Sequence, residues 1–519
     1  MASALHGHSP DERLIAVHHL PSGAVRVYRR VNGTLQTEDA EFFPFFFLSE
    51  DRHLEHFPQK HWIKKLAGPN YYQFVSAFTR WSEMWEAVHH VLEQYNRSAD
   101  RRVESYSDLD VLYLKPDPVT QYLMQSGRTL FKRMEFDELH RVQLDIETYS
   151  KQRRFSDPSR PDDRVIIIAL SDNRGWEHVI DGRATSESRM FEELVKTISS
   201  KDPDVIEGHN IINFDLPYII RRCELLKMEL NLGRDGLPIR ALSPPGSFGD
   251  REVEATGFEI PGRHVIDTLL LVQNYDTSKR NLESYGLKYV ARYFGLSRPE
   301  RVYIKGDKIS WYWDNDPEMV IQYALDDVRE TRMISEYLSP PYFYLTQMVP
   351  MSYGQMVRSG SATKIQALMV REYLRQKQSL PRPQKGSHTT GGYTDVFFTG
   401  LLEPIVHADV ESLYPSIMLS KRITPKTDYL TVFYSLLSEL TKQRLELKKK
   451  MLLAKERGLK TRLDAMQSSL KICINSFYGY LGYARGLFND YEQADEVTKS
   501  GREILRAVID KIVLHGGIV

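Results

Sequence analysis

At 519 residues the chain is too long for one hydrophobic core, and about three or four domains are expected. With 41% hydrophobic and 27% charged residues it reads as a soluble globular protein, while 69 basic against 69 acidic side chains give no global positive field; a nucleic-acid site needs only a local basic groove. Two cysteines, Cys223 and Cys473, exclude a disulfide framework and a four-ligand zinc or iron–sulfur site, and without a signal peptide or a run of about 20 apolar residues an intracellular compartment is expected.

The first 135 or so residues mix short aromatic runs, Phe42 to Phe47 among them, with polar turns, which predicts a β-rich α+β module. From Arg141 the pattern changes. Val142 to Leu144, Val165 to Leu170 and Val205 to Ile206 read as short apolar strands, with a helical stretch near Arg189 to Ser199. Alternating strands and helices argue for an α/β domain on a central sheet. Residues 228–263 read as a long loop or hairpin excursion, and Ser339 to Met351, with three prolines, as a linker. Arg375 to Gly392 is a polar connector leading to strands before Asp409, and residues 431–457 and 461–480 are predicted helices joined by a turn at Gly458.

Asp145 and Glu147 follow the strand Val142 to Leu144 and alternate with Ile146, so both carboxylates point to one face. Two such carboxylates repel unless cations neutralise them. Asp215 opens the helical stretch Leu216 to Leu226, and Tyr323 and Asp327 lie four apart in a predicted helix over Met319 to Leu338, which puts phenol and carboxylate on one face. Gathered in one place, four acids suit a hard-cation site that clamps a phosphodiester. Asp326, three residues from Tyr323, is expected to be a solvated helix charge.

Further on, the mostly apolar run Leu401 to Val406 leads into Asp409, which is therefore expected at the end of a buried strand. Tyr414 and Pro415 follow where the strand must turn and a flat side chain can wall a pocket. An acid beside an aromatic wall suits a metal-bound triphosphate and its sugar. Arg444 and Lys448 are four apart on one predicted helix, Lys471 and Asn475 four apart on the next. An antiparallel pairing would bring these faces together over a triphosphate. Lys449 and Lys450 read as a solvated face, and Cys473 as a packing residue.

These segments carry a resemblance. Residues 409–417, Asp-Val-Glu-Ser-Leu-Tyr-Pro-Ser-Ile, resemble motif A of the family B DNA polymerases, and Lys471-Ile-Cys-Ile-Asn-Ser-Phe-Tyr478-Gly479 resembles their motif B. Asp-Ile-Glu-Thr at 145–148, Asn-Phe-Asp at 213–215 and Tyr-Ala-Leu-Asp-Asp at 323–327 resemble the three motifs of the DnaQ-like 3′–5′ exonucleases, in family order. The resemblance implies α/β and α+β domains. These are an N-terminal domain over 1–135, to which 339–372 returns, and a ribonuclease H-like exonuclease over 136–338. A palm over 373–430 and 481–519, incomplete and without a thumb, encloses two-helix fingers over 431–480.

It also implies roles. Asp145, Glu147, Asp215 and Asp327 bind metal, Tyr323 orients the attacking water, and Asp409 with the Val410 carbonyl holds the metals of synthesis. Two Mg²⁺ per site are expected, roughly 3.5–4 Å apart, with Mn²⁺ as a substitute. Tyr414 is the sugar gate, Arg444, Lys448, Lys471 and Asn475 hold the nucleotide, and Tyr478 and Gly479 lie against the nascent base pair. The implied partners are primer–template DNA and dNTPs, with no membrane, and the compartment is cytoplasmic or nucleoid-associated, or nuclear in a eukaryote.

Two departures stand out. Where the family usually has Tyr-x-Gly-Gly, this chain has Thr389-Thr390-Gly391-Gly392, which keeps the glycines for a DNA backbone but not the tyrosine. The motif carrying the second palm carboxylate, typically Tyr-Gly-Asp-Thr-Asp, does not occur; Gly501 to Leu514 resembles the helix before it, and Gly516 to Val519 the turn and start of its strand. Three readings follow: a second polypeptide supplies motif C and thumb, the residues are a truncated or frameshifted form of a longer polymerase, or the chain acts alone as an exonuclease or non-catalytic DNA-binding subunit.

Overall fold

The computed structural model describes residues 5–98, 102–151, 155–242, 257–386 and 391–519. The N-terminal part is β-rich, as its aromatic runs predict. Leu14–His19, Val25–Val31 and Thr34–Ala40 form an antiparallel meander. A second antiparallel sheet runs His61–Lys65, Phe74–Phe78, Phe45–Leu48, Leu112–Tyr113. The helix Trp81–Ser98 covers it through Met84, Ala87, Val88 and Val91, whose spacing puts them on one face.

The middle of the chain is a five-stranded mixed sheet in the order Glu177–Asp181, Val165–Asp172, Arg141–Thr148, Val205–Gly208, His264–Asp267. The first three strands are antiparallel, and the last two run parallel to the central one. Val165–Asp172 is buried along its whole length, as a continuous apolar run requires when both sheet faces are covered. One face is covered by the helices Glu187–Lys201 and Asp215–Leu225, which share a core with Val142, Leu144 and Ile146. The long helix Pro317–Leu338 covers the other, with Tyr323, Ala324 and Val328 against Ile167 and Ala169. The excursion at 228–263 holds the short pair Arg240–Leu242 and Gly257–Glu259 at its described ends.

Several expectations are corrected here. Ser339 to Met351 is no linker: Pro340–Thr346 is a helix in which Tyr342 to Thr346 are all buried. Its prolines stand at the first positions, where a missing N–H costs nothing. The two long helices are Val432–Leu453 and Arg457–Leu481, joined through 454–456, so Gly458 lies inside the second. Phe433, Leu436, Leu437 and Leu440 form the apolar stripe of the first, and Cys473, buried as expected, packs in the second with Ile474 and Phe477. This pair leans on Pro340–Thr346 and on Ser361–Arg375, which also touches the N-terminal helix Pro118–Ser126. One continuous core therefore runs from Phe131 through Phe343 to Phe433.

The largest correction concerns residues 393–410. No strand forms there, and Leu401, Ile405 and Val406 are 96%, 74% and 91% exposed. An extended segment becomes a strand only beside a partner that satisfies its backbone groups, and among the described residues nothing pairs with it. The expected strand at Gly516 to Val519 is absent for the same reason, and Gly501 to Leu514 is part of the longer helix Tyr491–Leu514.

Candidate active sites

On the central strand Arg141–Thr148, Asp145 and Glu147 lie opposite Ala169 and Ile167 and share their face, the one under the long helix. The ladder bulges between Glu147 and Thr148, so the strand changes register just past the second carboxylate. From above, the helix Pro317–Leu338, capped by the Asp316 side chain, lowers Tyr323 and Asp327 from one face. Carboxylate oxygens of Asp145, Glu147 and Asp327 all lie within 4.8 Å of one another. Asp215, at the start of its helix, adds a fourth acid and accepts the Ile146 amide at 3.1 Å. The four predicted acids and the phenol are thus brought together, although only three acids form the tight cluster.

Electrostatics here favour a cation. Burial, then the charges of Asp327, Asp215 and Glu147, push the Asp145 carboxyl well up. Burial and Asp327 push Glu147 up to about 8, and burial, with Asp267 and Asp327 adding, pushes Asp215 up to about 7. Asp145 Oδ2 is buried without a hydrogen-bond partner, and such atoms are costly unless something binds them. Two cations that sequence reasoning missed pair with Asp327. Lys288 Nζ is 2.6 Å from its Oδ2 and 4.5 Å from the Tyr323 ring, and Arg301 pairs with its Oδ1. Arg301 is shared with Glu330 at 3.2 Å and Asp326 at 3.9 Å, so the four acids have one ammonium to themselves and only part of a guanidinium. An all-oxygen donor set with a charge deficit fits a hard divalent cation. The only sequence signal for these cations was that deficit, since a buried acid cluster needs counter-charge from somewhere.

Asp326 is not solvated. It is 5% exposed and accepts hydrogen bonds from the Val302 amide at 3.1 Å, Gln322 at 3.2 Å and Arg329 at 3.0 Å. The segment around Arg301 crosses the helix here, a tertiary contact that helical spacing does not reveal.

The second group gathers around the helix Leu413–Ser420. Ser412, with φ +54°, turns the chain into it. Tyr414 packs on Tyr478 with ring centroids 4.6 Å apart. A Cβ on Gly501 would come within 3.0 Å of the Tyr414 ring, and one on Gly392 within 3.0 Å of its hydroxyl. Gly391 is tied in through its carbonyl, which accepts from Arg502 at 2.6 Å. Thr389 and Thr390 lie outside the described residues. Arg444, nearly buried, donates to Ser412 Oγ at 3.2 Å, and Lys448 Nζ is 2.5 Å from Glu411. Glu411 is held below the usual carboxylate range by its hydrogen bond to Lys448, with Arg444 and Lys471 adding. Lys448 and, at 4.0 Å, Arg444 thus approach one carboxylate. Lys471, Asn475 and Gly479 are exposed on the second long helix. Asp409 is exposed and Val410 half-buried, and the expected strand end is absent.

Residues 88–290 match the family DNA polymerase family B, exonuclease domain, and residues 429–515 match DNA polymerase family B. The first span holds Asp145, Glu147 and Asp215 but stops short of Tyr323 and Asp327; the second holds the basic helix pair but starts beyond Asp409. A DNA polymerase of Pyrococcus glycovorans is 26% identical over 535 residues, covering 93% of this chain and 66% of that protein. A DNA polymerase of Archaeoglobus fulgidus is 29% identical over 398 residues, covering 72% of this chain and 48% of that protein. The fold is similar to that of the family B DNA polymerase from the hyperthermophilic archaeon Pyrobaculum calidifontis, with a TM-score of 0.74 at 20% identity, over 96% of this chain and 71% of that one. The chain spans about two thirds of the Pyrococcus protein and about half of the Archaeoglobus one.

Proposed function

This chain belongs to the family B DNA polymerases with an exonuclease domain, and from that premise we propose that it combines template-directed dNTP addition with 3′–5′ proofreading hydrolysis. The observation that carries the hydrolytic half is the convergence of Asp145, Glu147 and Asp327, with an orphaned buried oxygen on Asp145. Asp145, Glu147, Asp215 and Asp327 would hold divalent cations, Mg²⁺ with Mn²⁺ as a substitute. Bound there, such cations polarise the scissile phosphate and acidify water. The chain's own groups supply the rest. The Tyr323 phenol, beside Lys288 and pushed up by burial and by the charges of Asp327 and Glu147, orients the attacking water. Lys288 and Arg301 fix Asp327, so the helix-borne ligand keeps its aim while the strand-borne pair accepts the cation. The terminal phosphodiester is cleaved with release of a nucleoside monophosphate and a new primer 3′-OH.

In synthesis, the primer 3′-OH attacks the α-phosphorus of the dNTP and the bond to pyrophosphate breaks, while Asp409 with the Val410 carbonyl would hold the metal. Arg444, Lys448, Lys471 and Asn475 receive the triphosphate, while Tyr414, braced by Tyr478 and Gly501, excludes a 2′-hydroxyl. A two-metal synthesis site needs a second carboxylate, which a partner polypeptide bearing motif C and thumb would supply. Among the described residues no helix is long and apolar enough to cross a membrane; it is membership of a DNA polymerase family that points to work in the cytoplasm or nucleoid. A stand-alone exonuclease is the second reading, favoured by an assembled carboxylate cluster alongside an exposed Asp409.

The test is degradation of single-stranded 3′ ends with Mg²⁺ or Mn²⁺. Asp145→Ala with Glu147→Ala should abolish it, and activity surviving the double change would sink the exonuclease assignment.

A further inference from the structure

Glu411 is an acid where the nucleotide reading needs an anion of another kind. Its Oε1 lies 2.5 Å from Lys448 Nζ and 4.0 Å from Arg444. Its side chain is 69% exposed, so it fills no core, and its backbone continues into Ser412, whose hydroxyl accepts from the same Arg444. We propose that Glu411 occupies the seat of the nucleotide's phosphates, so that a triphosphate binds only by displacing a carboxylate supplied by the chain itself. The inference rests on the reading of Arg444, Lys448 and Lys471 as the triphosphate cradle.

The exposure of the pair makes the displacement feasible. A buried ion pair would lock the cradle shut, whereas an exposed one is weak and costs a competing ligand only about two- to fivefold in affinity. That cost sets a threshold on charge. Tripolyphosphate and dNTP both offer enough negative oxygens to replace Glu411, while an uncharged nucleoside does not engage the cations at all. Glu411 thereby acts as a positioning and selectivity residue: it keeps Lys448 and Arg444 together before the nucleotide arrives and withdraws when it binds.

The experiment is titration calorimetry on the full chain at constant ionic strength, with the Mg²⁺ complexes of dATP and of inorganic tripolyphosphate, and with deoxyadenosine. Glu411→Gln should tighten dATP and tripolyphosphate by about two- to fivefold and leave deoxyadenosine unchanged. Glu411→Asp, which keeps the charge on a shorter stem, should fall between wild type and Glu411→Gln. Lys448→Ala reports on the cradle itself and should weaken dATP in either background. Unchanged or weaker binding by Glu411→Gln, with Lys448→Ala still damaging, would overturn the role of Glu411 and leave the nucleotide reading standing. Binding indifferent to Lys448→Ala would overturn the cradle and the inference together.

Discussion

Asp326 accepts hydrogen bonds from the Val302 amide, Gln322 and Arg329, whereas its neighbour Asp327 turns to Lys288 and Arg301. Asp326→Ala should therefore destabilise the domain by about 2 kcal/mol, read from its thermal unfolding, because it strands buried donors. The divalent-cation dependence of nuclease activity should survive in what remains folded. Lys288→Met should act oppositely on the metal. Removing the one committed ammonium raises the charge deficit, so the unfolding temperature should fall in EDTA and gain more from Mn²⁺ than wild type does, as melting curves in the two buffers will show. The pairing of Asp145 with Glu147 was legible in two residues' alternation, and that of Tyr323 with Asp327 in helical spacing. Lys288 and Arg301 were not, because a lone cation in a short helix or loop carries no local sign of which acid it will meet.

The elements that approach the second site form their contacts through small and flat residues. Tyr414 is wedged between Tyr478 and the helix bearing Gly501, where a Cβ would come within 3.0 Å of its ring. Gly501→Leu should tilt Tyr414 out of place, and Tyr414→Val should remove the wall altogether. Either change should narrow the preference for dATP over ATP, by about tenfold or more if the ring alone excludes the ribose hydroxyl, in competitive binding to the full chain. Both long helices were legible, though not the point where the chain turns between them, since a pair of neighbouring helices closes its own hydrogen bonds and much of its own core. The segment before Asp409 departs from its expected strand for the converse reason. Its apolar run has the composition of a strand, but a strand is a relation between two segments, and composition describes only one.

At the scale of the whole molecule, the central sheet buries acids that would rather be neutral. Glu147 is pushed up to about 8 and Asp215 up to about 7, above the range near 4 in which carboxyls titrate in an unfolded chain. Metal-free folded protein then holds protons that the unfolded chain has released. Stability is highest below the unfolded values, falls as pH rises from about 4–5, and is lost through about pH 8. The unfolding temperature in EDTA should accordingly drop between pH 6 and pH 9, and Mn²⁺ should flatten that slope by taking the protons' place. A flat profile in EDTA would mean that the cluster is not buried in this way.

The exposed stretch from Gly391 to Asp409 has a practical consequence. It is the longest run of bare backbone among the described residues, and it offers a protease Phe397, Phe398 and Leu401 in the open. A cut there would divide the covalent chain between the two candidate sites. It would not divide the molecule, because the helices after the cut share a core with Pro340–Thr346 and Ser361–Arg375 before it. Nicked protein should therefore run as two bands under denaturing conditions and as one species through a sizing column, with its nuclease intact. Continuity of the fold at this point is carried by packing, and the peptide chain serves there only as a tether.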